Sequence, residues 1–268
     1  MPTIDRAGAR TYYEIHGSGA TLLLGHSLLF DGRMWEPVIP ALAGKFRVIN
    51  VDARRHRHST GGGRFTIEDL ADDWLAILDQ EKTERALLCG LSLGGMTAMR
   101  LALRAPARVA AMALLGTSAD PEAPADRVTY RALAEIQRLV RLDALTDPVV
   151  ERKMFSATSR REQPDLVARC MAIIHENVPR QLYPALRAVF DRESIADRLS
   201  EIRCPTLVLC GEEDAATGPS RSRRIADRIP GATLHMIPRA GHCSVMEQPA
   251  AVEAHLTAFF DRHASLAT

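Results

Sequence analysis

A chain of 268 residues with 46% hydrophobic and 25% charged residues has the composition of an ordinary globule, long enough to bury roughly three quarters of its unfolded surface without a metal or disulfide staple. Its 34 basic residues balance 33 acidic ones, leaving a formal charge of +1 and no reason to expect nucleic acid or an anionic membrane as partner. The five cysteines, Cys89, Cys170, Cys204, Cys210 and Cys243, are odd in number, form no C-x-x-C pair and sit mostly in or beside apolar runs. This is the pattern of small buried hydrophobes in a reducing compartment. The opening Met1-Pro2-Thr3-Ile4-Asp5-Arg6 has no basic region followed by an apolar core. No apolar run approaches the ~18–20 residues of a membrane span, so the reading is a cytoplasmic protein.

In chain order, Ile4, a turn at Ala7-Gly8 and Thr11 to Ile15 read as a hairpin. Thr21 to Leu24 is a short apolar strand, Met34 to Leu42 is helical in spacing with Pro37 near its start, and Phe46 to Val51 is a strand. Ile67 to Gln80 is an amphipathic helix carrying Ile67, Leu70, Trp74, Ile77 and Leu78. Ala86 to Cys89 is a strand running into Gly90-Leu91-Ser92-Leu93-Gly94-Gly95; a helix follows to about Ala105 and stops before Pro106. Val109 to Leu115 is a further buried strand. Between about Asp120 and Leu199 the strands vanish. Helical faces such as Leu133, Ile136, Leu139 and Val140 are punctuated by prolines at 121, 124, 148, 164, 179 and 184. Strands resume at Thr206 to Cys210 and Thr233 to Ile237, with Ile225 on a helix between them and a closing helix at Val252 to Phe260. Continuous apolar strands alternating with helices predict an α/β fold: a mostly parallel central sheet with helices on both faces. The chain reads as one domain, 1–268, with a helical insertion over approximately 120–199.

Gly90-Leu91-Ser92-Leu93-Gly94 matches G-x-S-x-G between a strand and a helix. A sharp strand–helix turn there puts a serine on strained backbone, with small residues beside it and a helix N-terminus favouring negative charge. Such a serine needs a base. Of nine histidines, His242 follows the last strand in Ala240-Gly241-His242, ahead of Glu247-Gln248-Pro249. His235 lies inside that strand and reads as structural; His255 and His263 lie on the closing helix. The base in turn needs a carboxylate to hold its tautomer. Asp214 ends Val208-Leu209-Cys210-Gly211-Glu212-Glu213-Asp214, at the carboxyl end of a strand, where sites of open α/β sheets gather. An oxyanion would be held by two backbone N–H groups, those of Leu93 and, in Gly25-His26-Ser27-Leu28-Leu29, of Leu28.

These residues resemble the α/β-hydrolase family, through motifs that run in order along nearly the whole chain: Leu22–Trp35, Asp52–Ser59, Cys89–Met96, Pro205–Asp214 and Ala240–Pro249. Two stretches resemble its 3-oxoadipate enol-lactonase branch: His26-Ser27-Leu28 with Asp31 and Arg33-Met34-Trp35, and Cys89 to Met96. The resemblance implies a serine hydrolase of carboxylesterase or lactonase type that acts on a small-molecule ester or lactone without cofactor or metal. A carbon–carbon bond hydrolase, a perhydrolase or a non-catalytic ligand-binding protein on the same fold are the alternatives. There are two departures. Asp52-Ala53-Arg54-Arg55-His56-Arg57-His58-Ser59 has arginine at both places where the family has glycine, so the loop is expected to run differently. The H-x-H spacing of His56 and His58 has no matching ligand cluster to make a metal site. The second departure is that both tryptophans, Trp35 and Trp74, precede Ser92, so the insertion lacks the lactonase aromatic.

Overall fold

Successive residues of a strand face opposite sides of a sheet, and the apolar run Thr21–Gly25 (β3) obeys this: Leu22 and Leu24 enter one buried cluster, Leu23 another. A strand apolar on both sides belongs inside a sheet covered on both faces. The computed structural model, which describes residues 2–140, 143–177 and 179–267, contains that sheet. Its other strands are β1 (Thr3–Arg6), β2 (Ala9–His16), β4 (Arg47–Val51), β5 (Thr60–Gly61), β6 (Ala86–Leu91), β7 (Val109–Leu115), β8 (Thr206–Gly211) and β9 (Thr233–Ile237). The order is β1-β2-β4-β3-β6-β7-β8-β9, with β5 paired to β2. Pairings within β1, β2, β4 and β5 that involve β2 are antiparallel; every neighbouring pair from β4 through β9 is parallel.

The helices are α1 (Ile39–Ala43), α2 (Ile67–Gln80), α3 (Leu93–Arg104), α4 (Pro124–Val140), α5 (Asp143–Met154), α6 (Ala157–Glu162), α7 (Pro164–Glu176), α8 (Pro179–Phe190), α9 (Gly218–Arg228), α10 (Ser244–Glu247) and α11 (Pro249–His263). Trp74 and Ile77 of α2, Met99 and Leu101 of α3 and Ile225 of α9 cover the face that Leu23, Leu88 and Val208 present. Leu42 of α1 and Val252, Leu256 and Phe260 of α11 cover the face of Leu22, Leu24 and Leu209. Helices α4 to α8 all lie between β7 and β8 in the chain. The sheet and flanking helices are those of an α/β-hydrolase fold. None of the helices among the described residues is long and apolar enough to cross a membrane.

Three expectations need correction. Met34 to Leu42 is not one helix but a 3-10 turn at Gly32–Trp35 followed by α1, because Pro37 and Pro40 each lack the N–H a continuous helix requires. Pro148 and Pro184 lie inside α5 and α8, whereas Pro124, Pro164 and Pro179 open helices, where the missing N–H costs nothing. The third concerns the loop after β4: Arg55 (φ 69°) and Arg57 (φ 44°) adopt the left-handed conformation themselves, so the loop keeps the path that glycine would take. Its surroundings hold it there. Arg55 Nε donates to Gly62 O at 3.0 Å and the Arg57 N–H to Asn177 Oδ1 at 3.1 Å.

Candidate active site

Ser92 is the one residue between β6 and α3, at φ 53° and ψ −106°. Backbone strain of this kind costs on the order of 1–3 kcal/mol and persists only where neighbours over-determine it. Here the Ser92 N–H donates to Leu115 O (2.9 Å), and its carbonyl accepts from Thr117 Oγ1 (2.7 Å) and the Met96 N–H (2.9 Å). The flanking glycines are steric necessities. A Cβ on Gly90 would lie 2.1 Å from Gly94 C, and one on Gly94 2.1 Å from Gly25 O.

His242 lies buried in the loop between β9 and α10, and its Nδ1 is 3.1 Å from Asp214 Oδ2. Asp214 also accepts from the N–H groups of Ala216 (2.8 Å) and Thr217 (3.0 Å) and from Thr217 Oγ1 (2.9 Å). Burial works against its ionisation, but His242 and the Thr217 donors outweigh this and hold the carboxyl well below the usual carboxylate range. Glu213 turns away and accepts from Thr158 N–H and Oγ1 at 3.1 and 2.6 Å; Glu212 is exposed. On the other side of the ring, Nε2 is 3.5 Å from Ser27 Oγ and shares a cavity wall with Ser92. Among the described residues no hydrogen bond restrains the Ser92 hydroxyl. Serine–histidine bonds of this kind are often long without substrate and tighten when it binds.

Among the described residues the N–H groups of Leu28 and Leu93 meet no acceptor. Leu93 is the first residue of α3, where helical N–H groups have no partner within the helix. Leu28 is oriented through its peptide. Ser27 O accepts from the Phe30 N–H (3.0 Å) and from His26 Nδ1 (2.8 Å), so the trans-related Leu28 N–H points the opposite way. His26 donates through Nδ1 because its Nε2 accepts from the Ala53 N–H at 2.9 Å. The next carbonyl, Leu28 O, accepts from His56 Nε2 at 2.6 Å. Burial lowers the pKa of both rings, and burial together with His26 takes His56 down to about 4.

Sequence reasoning quoted His26 only as part of a motif and passed over Thr217. A histidine just after β3 was the available signal for the first; no local signal marks the second. His56 has both nitrogens against carbonyls (Nδ1 to Arg54 O, 2.9 Å), and the His58 ring packs edge-on to Tyr12. Arg54, buried in the same loop, is paired bidentately with Asp73 at 2.6 and 2.7 Å rather than offered to an anion. His235 and His255 face each other away from these residues, and His263 packs on Phe259.

The cavity that Ser92 and His242 line has a volume of about 220 Å³. Ser27, Leu28 and Met96 form its floor with them, and α4, α5 and α8 supply its walls.

Residues 15–255 match the alpha/beta hydrolase family, and the chain belongs to it. A relative named as a carbamate hydrolase, from Variovorax paradoxus (strain S110), is 32% identical over 94% of this chain and 96% of its own. Among solved structures, a thermophilic esterase from Thermogutta terrifontis superposes with a TM-score of 0.91 at 27% identity, covering all of both chains. The enol-lactonase from Burkholderia xenovorans LB400 superposes with a TM-score of 0.89 at 30% identity, over 97% of this chain and all of the other.

Proposed function

We propose that the protein is a cofactor-free serine hydrolase that cleaves a small ester or lactone through an acyl-enzyme, with the segment from about 120 to 199 as a cap over the site. The observation that carries this reading is the line Asp214–His242–cavity–Ser92: a buried carboxylate 3.1 Å from Nδ1, with Nε2 turned to the cavity that the strained serine also lines. The names of the relatives, an esterase and an enol-lactonase among them, support the substrate class.

Asp214, kept ionised, holds the Nδ1–H tautomer, leaving the Nε2 lone pair for the Ser92 proton. Ser92 Oγ attacks the carbonyl carbon as Nε2 takes that proton. The former carbonyl oxygen carries the charge and is held by the Leu28 and Leu93 N–H groups. Collapse expels the alcohol, which leaves with the proton from Nε2; in a lactone it stays tethered to the acyl group. Water then attacks the acyl carbon, gives its proton to Nε2, and the acid departs as Ser92 recovers its proton. No step changes an oxidation state, so none calls for a redox group.

The test is Ser92→Ala. It should lower kcat on a chromogenic ester by about 10⁴–10⁶ while the thermal midpoint stays close to wild type. Activity kept within about tenfold would remove Ser92 from the mechanism.

A further inference from the structure

We infer that Ser27 holds the water that releases the acyl group: its hydroxyl and His242 Nε2 bind the same water, so Ser27 serves the second half of the reaction and not the first. This rests on the hydrolase reading above and adds a catalytic residue to it. Ser27 Oγ lies 3.5 Å from Nε2 and makes the one side-chain hydrogen bond to that nitrogen among the described residues. The hydroxyl in turn has no other hydrogen-bond partner among them. Backbone bonds on both sides fix where it points. The Ser27 N–H donates to Met34 Sδ at 3.1 Å, and the Ser27 carbonyl accepts from His26 Nδ1 at 2.8 Å and from the Phe30 N–H at 3.0 Å. Ser27 is buried, yet it lines the cavity beside Ser92 and His242. A buried hydroxyl that ties nothing in the fold together costs free energy, and this one faces the base.

At 3.5 Å the contact is longer than the roughly 2.7–3.0 Å of a good bond from a hydroxyl. Two polar atoms at this separation can both reach one water, at about 2.8 Å from each. Thr217, the other hydroxyl beside His242, does not compete for that place: its Oγ1 lies 3.4 Å from Nδ1 and donates to Asp214 Oδ2 at 2.9 Å. Acylation has no need of Ser27, because its nucleophile is Ser92, fixed to the chain. Deacylation uses a free molecule, and positioning a free molecule is where a second hydrogen-bond partner counts. The water oxygen bonds to the acyl carbon as one of its protons passes to Nε2. The bond from that carbon to Ser92 Oγ then breaks, and Ser92 Oγ takes the proton from Nε2. The water's other hydrogen is bonded to Ser27 Oγ, which accepts it and keeps its own proton throughout. With both hydrogens directed, the water turns a lone pair to the acyl carbon.

The experiment mixes wild type and Ser27→Ala with excess p-nitrophenyl acetate, follows nitrophenol release from the first turnover onward, and measures acetyl on Ser92 by mass spectrometry of the quenched protein. In Ser27→Ala the first turnover should keep its rate within about threefold of wild type. The steady rate should fall about tenfold, the scale of one hydrogen bond, and acetyl-Ser92 should become the dominant form of the enzyme. Ser27→Gly, which also lacks the hydroxyl, should show the same split. A first turnover slowed as much as the steady rate would overturn the inference and make Ser27 a donor to the oxyanion or a support for the imidazole, since both halves of the reaction use those. A steady rate and an acetyl-Ser92 level unchanged from wild type would overturn it too. Wild type separates this failure from that of the hydrolase reading. If wild type turns the ester over and labels at Ser92 with a fluorophosphonate probe, either result above removes the role of Ser27 alone. If wild type neither turns the ester over nor takes up the probe, the hydrolase reading falls and this inference with it.

Discussion

Three consecutive acids, Glu212, Glu213 and Asp214, carry equal charge, yet one of them alone reaches His242. Asp214→Asn should preserve the fold but leave the imidazole in the wrong tautomer, at a cost of about 10⁴ in kcat. Glu213→Gln removes the same charge from a carboxylate bound to Thr158 instead and should keep kcat within about tenfold. Comparing both variants on one ester at one pH checks the assignment; the reverse ranking would move the acid to Glu213. His56 supplies a pH prediction. Its pKa is about 4 in the folded protein against an ordinary 6.5, so it favours folding fully above about 6.5 and loses that contribution as pH falls towards 4. The stability gap between wild type and His56→Gln, measured by urea unfolding, should therefore shrink by about 2–3 kcal/mol between pH 7.5 and 4.5. A gap independent of pH would mean that the ring is not held neutral. An acid at the end of β8 was legible because a strand-end acid is a local signal; that Asp214 rather than Glu213 meets His242 rests on a contact 28 residues along the chain. The left-handed Arg55 and Arg57 were not legible: intrinsic cost argues against them, and the bonds from Arg55 to Gly62 and from the Arg57 amide to Asn177 that hold them are made at a distance along the chain.

Elements differed in how clearly they announced themselves. The bounds of α2 are readable because Thr66 and Asp69 form a capping box just ahead of a periodic apolar face. The stretch from Met34 to Leu42 has the same periodicity, but two prolines cut it. How α5 and α6 meet the His242 loop was not readable. Glu247 of α10 accepts from the Gly241 N–H and from the Ser156 N–H, both at 2.9 Å, and the Cys243 N–H donates to Met154 O at 3.0 Å. The carboxylate thus ties the residue before His242 to the start of α6. A Cβ on Gly241 would lie 2.4 Å from Ser156 N, so the two segments have no room to separate and repack. Glu247→Ala strands two buried donors and should cost about 2–4 kcal/mol in stability. It should lower kcat more than it raises KM, and Glu247→Gln, which keeps one carbonyl acceptor, should recover part of both. Equal kcat for wild type and Glu247→Ala would confine the residue to a structural role.

Across the whole molecule, the two covered faces of the sheet account for the thiols. All five cysteines are buried and free. Burial raises the pKa of Cys170 to about 12 and those of Cys204 and Cys210 to about 11, and it pushes those of Cys89 and Cys243 well above the usual thiol range. Thiolate is the reactive form. The native protein should therefore show no fast phase with a thiol-specific disulfide reagent and should keep the proposed ester-cleaving activity, whereas all five thiols should react after unfolding in urea. A rapid native phase with loss of activity would place a reactive thiol at the site.

The apolar strands, their alternation with helices, the serine on a strand–helix turn and the order of serine, acid and histidine are patterns among chain neighbours, and the sequence by itself determined them. Periodicity and turn chemistry act over a few residues and can be read without the rest of the chain. Four features depended on contacts between distant residues, and only the tertiary structure decided them. Asp214 rather than Glu213 faces His242, 28 residues away. His26, reaching Ala53, orients the Leu28 peptide. Arg192 neutralises Glu122, 70 residues back. Glu247 binds Ser156, 91 residues back, and so ties α6 to the histidine loop. Charge and hydrogen-bonding capacity are written in a residue's identity, but which partner satisfies them depends on distance and direction, and those exist only once the sheet has brought the loops together.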